Sequence, residues 1–373
     1  MNRFKSISTS SILAVILLLG SSSCKKNKDE SVSSGTNYSK IVYIGSTNLS
    51  QARYLLAGSS AGTKILFGGG FDGNNVDFNT VDIYDIATGI WTVSQLSVAR
   101  EALVSAAAGN KIFFAGGKAV NSTDYYKNAV DIYDVATGVW TTAELSQARG
   151  DLAAGSAGNF VLFAGGTGTP YTDVVDIYNV GNGQWTTSHL SASRDYLAGV
   201  SSGNKIFFAG GEQGVSNYSD AVDIYDVTTG QWSLSHLSMK RVQFVAAAAG
   251  SKVLFAGGGS IDSLFSVVDI YDMNTSLWTT SRMSEARGNM AAVSVGNLIL
   301  FAGGIKGAFP VNTLSDAIDI YNVNTGKWSV AKLSSPREMI TAVASGNKIL
   351  FGGGLNGLQW TDVTTTVDIF QAE

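Results

Sequence analysis

Short apolar runs ending in Gly-Gly recur along the chain, as in Lys111-Ile112-Phe113-Phe114-Ala115 before Gly116-Gly117. Their brevity and their wealth of aromatic and β-branched residues predict strands buried on both faces. Gly109-Asn110-Lys111, repeated at Gly203-Asn204-Lys205 and Gly346-Asn347-Lys348, has the chemistry of a hairpin turn. A second tight turn is predicted at Asp134 to Gly138, and the Asp-x-x-Thr-Gly pattern returns elsewhere. Each stretch therefore reads as four strands, a, b, c and d, joined as a meander.

The stretches form a seven-fold repeat, and the period decides the fold before any local detail does. Arg53, Arg100, Arg149, Arg194, Arg241, Arg287 and Arg337 mark it, at spacings of 47, 49, 45, 47, 46 and 50 residues. Sixteen residues after each arginine comes Gly-Gly, from Gly69 to Gly353, followed by a Val/Ile-Asp-Ile-Tyr/Phe segment. In six repeats a tryptophan stands seven residues beyond the tyrosine and nine before the next arginine: Trp91, Trp140, Trp185, Trp232, Trp278 and Trp328.

Only one interval varies. Gly-Gly to the aspartate of strand c spans 13, 15, 11, 13, 12, 16 and 15 residues, whereas the other intervals are constant. Length variation confined to the b-to-c loops puts it on one face of a radial stack of sheets, a face the d-to-a connection also reaches. The last repeat ends at Glu373 without a strand d. Ile44 lies nine residues before Arg53, in tryptophan register, so a strand over about Lys40 to Gly45 is expected to complete the last repeat and close the ring.

Gly-Gly after strand b, with Tyr and Trp seven residues apart on strands c and d, resembles kelch repeats over residues 38–373. The resemblance implies an all-β fold, a seven-bladed kelch-type β-propeller with its last blade closed by the N-terminal strand. Departures are local: no Pro follows Tyr-Asp, Asp stands where kelch strands often carry Glu, and Ile44 and Phe370 occupy two degenerate positions. Strand a is expected innermost, its Ala, Ser and Gly letting the blades approach, with the Tyr and Trp copies further out as core.

Composition adds limits. The chain has 373 residues, 45% hydrophobic and 14% charged, with 43 Gly, one Cys and two His. Such a chain is globular rather than disordered. It forms no internal disulfide and offers little for a histidine-based metal or acid/base centre, and no cofactor is expected. Arg3 and Lys5, the apolar run Ile12 to Leu19 and the small residues Ser21 to Ser23 form a targeting segment over residues 1–23. With Cys24 directly after, the segment resembles a bacterial lipoprotein signal, although Ser21 stands where most carry Leu; an ordinary secretory signal is the alternative. Residues 24–37 read as a lipid-anchored flexible tether, polar and rich in serine. The expected location is the cell envelope, periplasmic or at the cell surface, with membrane contact through the lipid alone. Losing Arg3 and Lys5 takes the net charge from −4 to −6, which argues against nucleic acid as a partner.

The candidate site residues follow from position. Each arginine begins strand a, so the seven are expected to ring the channel mouth on the variable-loop face. Each either pairs with the aspartate of strand c, the reading favoured because identical residues in every blade serve the blade, or meets a ligand. In kelch domains of substrate adaptors, arginines at matching positions contact acidic peptides, which makes Arg100 and Arg194 candidates by resemblance. The variable positions after the arginines add Tyr54, Glu101, Asp151, Asp195, Tyr196, Gln243, Asn289 and Glu338. The b-to-c loops add Tyr125, Tyr126, Tyr171 and Phe309, and also Trp360, the one tryptophan outside the repeat register. Trp360 is either a loop anchor or a ligand contact. Glu101 and Glu338 are the carboxylates best placed for acid/base work.

Two kelch-like enzymes set the comparison. Galactose oxidase needs copper on histidines and a tyrosine joined to cysteine; here Cys24 lies outside the repeats, and His189 and His236 sit on outer strands of successive blades. Sialic acid mutarotase works with charged groups over the channel, which this composition allows. No Ser/His/Asp or Cys/His set and no phosphate loop is found. The expectation is a non-catalytic, lipid-anchored propeller that recognises a protein or glycan through its variable-loop face, with a carbohydrate-active enzyme resembling the mutarotase as the alternative.

Overall fold

The computed structural model describes residues 36–373 apart from 215, 261–262 and 308–310. Residues 1–23, expected to be a targeting segment, and Cys24 and Phe309 lie outside the described residues.

Each repeat folds as a four-stranded antiparallel blade. Blade 2 runs Val104–Ala108, Lys111–Ala115, Ala129–Asp134 and Val139–Glu144, strands a to d, and blades 1 and 3 to 6 repeat this order. Blade 7 takes its a, b and c strands from Thr341–Ser345, Lys348–Gly352 and Thr366–Ala372, and its d strand from Ile41–Asn48. The ring thus closes through the N-terminal strand, as expected. The register differs by one residue: in blade 2 Tyr133 faces Trp140, but in blade 7 Phe370 faces Tyr43, because a bulge between Tyr43 and Gly45 leaves Ile44 unpaired. Ile44 is accordingly 48% exposed, and the Tyr43 ring packs edge-on to Phe370 at 5.3 Å.

The core lies between blades. Leu66, Val81 and Ile83 of blade 1 pack with Ile112, Phe114 and Tyr133 of blade 2, and Ile65 and Phe67 of blade 1 pack with Leu350 and Val367 of blade 7. Strand b is buried on both faces, as its composition requires. The tryptophans are half-buried and pack against these inter-blade clusters. Each lies beside the tyrosine of its own blade, and Trp232 Nε1 also donates to Ser188 Oγ of the preceding blade at 2.8 Å.

One polar unit repeats in every blade. All seven arginines are 0% exposed and paired with the aspartate of strand c, at 2.6 Å for Arg53–Asp82 and 2.7 Å for Arg100–Asp131. The same aspartate accepts the backbone N–H of the serine in the incoming connection, as Asp131 does from Ser97 at 2.8 Å. The Gly-Gly pair joins neighbours: Gly70 N–H donates to Arg100 O of the next blade at 2.9 Å, and Gly354 N–H to Arg53 O at 3.0 Å across the closure. Gly69 has φ +69°, and a Cβ there would lie 2.6 Å from Arg100 O, so no larger residue fits. Arg100 and Arg194 are therefore corrected as ligand contacts. Both are sealed inside their blades, where their charge is spent on Asp131 and Asp223. A pair so buried is costly to break, about 3–5 kcal/mol when one partner is removed.

Candidate functional site

The channel mouth is built by the two residues after each arginine. The second of them has left-handed φ in all seven blades: Leu55, Ala102, Asp151, Tyr196, Gln243, Asn289 and Met339, at 49° to 58°. Non-glycine residues hold such angles only where surrounding bonds impose them. Here the bonds form a belt. Ala102 N–H donates to Leu55 O, Asp151 to Ala102, Tyr196 to Asp151, Asn289 to Gln243 and Met339 to Asn289, at 3.0–3.2 Å. The belt serves the ring, and it also pins seven unlike side chains around one opening.

Beneath the belt lies a cavity of about 770 Å³. Its floor is the apolar residue three after each arginine, from Leu56 to Ile340, and its charged groups lie on one side only. That side carries Glu101, Lys118, Asp151 and Tyr196, while Tyr54 and Trp360 stand next to it. Glu101 and Lys118 exchange backbone hydrogen bonds of 2.9 and 2.8 Å, and Lys118 Nζ pairs with the Asp151 carboxylate. Tyr196 is 47% exposed, lies close to Asp151, and has the Lys118 ammonium 5.9 Å from its ring centre. Trp360 is 60% exposed and stacks on Tyr54 of the neighbouring blade at 6.0 Å, which makes it both a loop anchor and part of the cavity lining.

Burial sets the protonation states. Glu101, 7% exposed, is pushed up to about 7, first by desolvation and then by the charge of Asp77, with Lys118 opposing. Asp195 is raised to about 6 for the same first reason, although Thr167 donates to it. Desolvation pulls Lys118 down, but Asp151 more than offsets it and the ammonium ends raised. Tyr54 and Tyr196 are both lifted to about 12, mainly by desolvation, and stay phenols at neutral pH.

The structure thus gathers Glu101, Tyr196 and Trp360 into one cavity. Glu338 is buried and accepts a hydrogen bond from Asn289 Nδ2 at 2.9 Å, so it braces the opposite wall. Tyr126 lines a second depression, of about 930 Å³, between the b-to-c loops of blades 2 and 3. His189, expected to stand apart on an outer strand, lines that depression too, with Nδ1 3.2 Å from Asp173. Lys118 was not singled out in the sequence. Its signal was available: it follows Gly116-Gly117 directly, a position held by Phe71, Thr167, Glu212, Gly259, Ile305 and Leu355 in the other blades. Among the described residues no group of three or more His, Cys, Asp or Glu side chains could hold a metal ion.

No curated protein matches the chain. Among solved structures that of YjhT is similar, with a TM-score of 0.54 at 14% identity over 87% of this chain and 96% of the other, a likeness of fold. The model of the KLHDC2/KLHL20/DRC7 Kelch-repeats domain matches residues 154–354, more than half of the sequence. With its seven blades, buried arginines and paired glycines, the chain belongs to that kelch-repeat family.

Proposed function

We propose that the variable-loop face binds a carbohydrate in the channel-mouth cavity and moves protons at its anomeric centre, the activity class of kelch-type sialic acid mutarotase. Glu101 carries the reading. It is a nearly buried carboxyl in the cavity wall, and a pKa of about 7 leaves both of its protonation states populated at neutral pH. Opening a cyclic sugar needs a base to take the anomeric hydroxyl proton while an acid protonates the ring oxygen. The ring C–O bond breaks, a carbonyl forms, and closure on the other face returns both protons. Glu101 suits one transfer, and the Tyr196 hydroxyl or the Lys118 ammonium is placed for the other. Nothing is consumed, so the reaction needs no cofactor. We further propose a lipid anchor at Cys24 in the bacterial cell envelope.

Non-catalytic recognition of a protein or glycan is the second reading, favoured by Trp360 and Tyr196, exposed rings at the rim of the same cavity. Anomer exchange measured by saturation-transfer NMR on glucose, galactose, N-acetylglucosamine and N-acetylneuraminic acid decides between them. The mature protein should accelerate exchange for at least one sugar, and Glu101→Gln should lower that rate roughly 10²-fold or more. Binding without acceleration leaves the non-catalytic reading. If no sugar binds or reacts, the carbohydrate assignment fails.

A further inference from the structure

The second depression adjoins the first. Lys118, in the wall of the channel cavity, is paired through its backbone with Tyr126, and Ala119 N–H donates to Tyr125 O at 2.8 Å, so one loop faces both spaces. Across the depression stands Tyr171, whose phenol feels the charge of Asp195, the residue before Tyr196 of the cavity wall. Tyr125 and Tyr126 meet edge to face at 5.0 Å, and Tyr125 and Tyr171 are exposed. Among the described residues none of the three hydroxyls has a hydrogen-bond partner. Around them lie the side-chain amides of Asn128 and Gln147 and, at the outer end, the His189–Asp173 pair.

Rings with free hydroxyls flanked by amides suit a ligand whose faces are apolar and whose edges are polar. A monosaccharide in the channel cavity would leave this space unused. Resting on the carbohydrate reading above, we propose that the ligand is an extended saccharide: its reducing-terminal unit, the one with a free anomeric hydroxyl, enters the channel cavity, and the following units lie along the tyrosine groove between blades 2 and 3. The amides and the histidine–aspartate pair then select among linkages by meeting the ring hydroxyls.

Calorimetric titration of the mature protein with saccharides matched at the reducing unit tests this, using glucose with lactose and maltotriose, N-acetylglucosamine with chitotriose, and N-acetylneuraminic acid with its α2,8-linked dimer. At least one longer sugar should bind about tenfold more tightly than its monosaccharide, the scale of one good aromatic contact. Replacing Tyr125→Ala and Tyr171→Ala together should abolish that gain while leaving monosaccharide affinity within about twofold, the scale of a surface change outside the contact. Both side chains are exposed, so the melting temperature should hold. His236→Ala, at the matching place one blade on, should change nothing. A length series that binds no more tightly, or a gain that survives the double variant, overturns the groove and leaves the channel site standing. Failure of every sugar to bind the wild type removes both.

Discussion

Glu101 is held in a conflict that its neighbours do not relieve: burial and Asp77 favour the neutral acid, and Lys118 opposes them while committed to Asp151. The folded protein therefore retains a proton that the unfolded chain releases near pH 4.5. A carboxyl whose folded pKa is raised contributes stability below the unfolded value, and that contribution disappears as pH rises through the folded one. Asp195, raised from 3.8 to about 6, acts in the same direction. The melting temperature should thus fall as pH climbs from about 4.5 to 7, and Glu101→Gln should flatten the upper part of that slope when followed by calorimetry. A slope unchanged in the variant would assign the loss to other groups. Sequence position located Glu101, because the residue after each arginine varies while its surroundings repeat. It could not show that Lys118, seventeen residues on, would pair with it across a bridge. Nor could it choose between two fates for an arginine, since the same spacing serves an exposed fork and a buried ion pair; depth in the blade decides.

Among the elements, the N-terminal strand has the clearest energetic role. Ile41–Asn48 covers the outer edge of Thr366–Ala372, and Ile41 and Leu49 are buried against blades 6, 7 and 1. Those two side chains contribute about 3–6 kcal/mol between them, and the bared edge would also offer itself to other chains. A protein starting at Ser50 should melt several degrees below one starting at Thr36 and should aggregate on heating. Equal melting would mean that the ring holds without its closing strand. That the strand closes the ring was legible from Leu49-Ser50-x-Ala52-Arg53, which copies the other connections. Its register was not. Counting back from Arg53 selects Ile44, whereas the bulge before Gly45 shifts Tyr43 opposite Phe370, and a bulge adds a residue without altering the pattern on either side. Loop lengths showed which face varies, but the groove between the second and third blades depends on how two loops lean together.

At the scale of the molecule, the chain enters the propeller on the face opposite the cavity. The N-terminal strand begins beside Ala372 and ends beside Thr366, so it runs toward the variable loops. Just before it, Tyr38 is clamped to Asn297, with Tyr38 N–H donating to Oδ1 at 2.6 Å and Asn297 Nδ2 donating to Tyr38 O at 3.0 Å, while Asn324 Nδ2 donates to Asn37 Oδ1 at 2.6 Å. Asn297 and Asn324 belong to the turns on that opposite face. No helix among the described residues is long and apolar enough to cross a membrane. The acyl chains of a lipid at Cys24 would contribute about 0.8 kcal/mol per buried CH₂. From Cys24 to Asn37 the chain can span roughly 40 Å when extended. Any tether from Cys24 would join the propeller at the face opposite the channel cavity. Cys24→Ser should move the protein from the membrane fraction to the soluble one, and unchanged membrane association would remove the anchor. Sugar affinity should be the same for the anchored protein on vesicles and for the soluble variant. A marked loss of affinity on anchoring would mean instead that the loop face meets the bilayer.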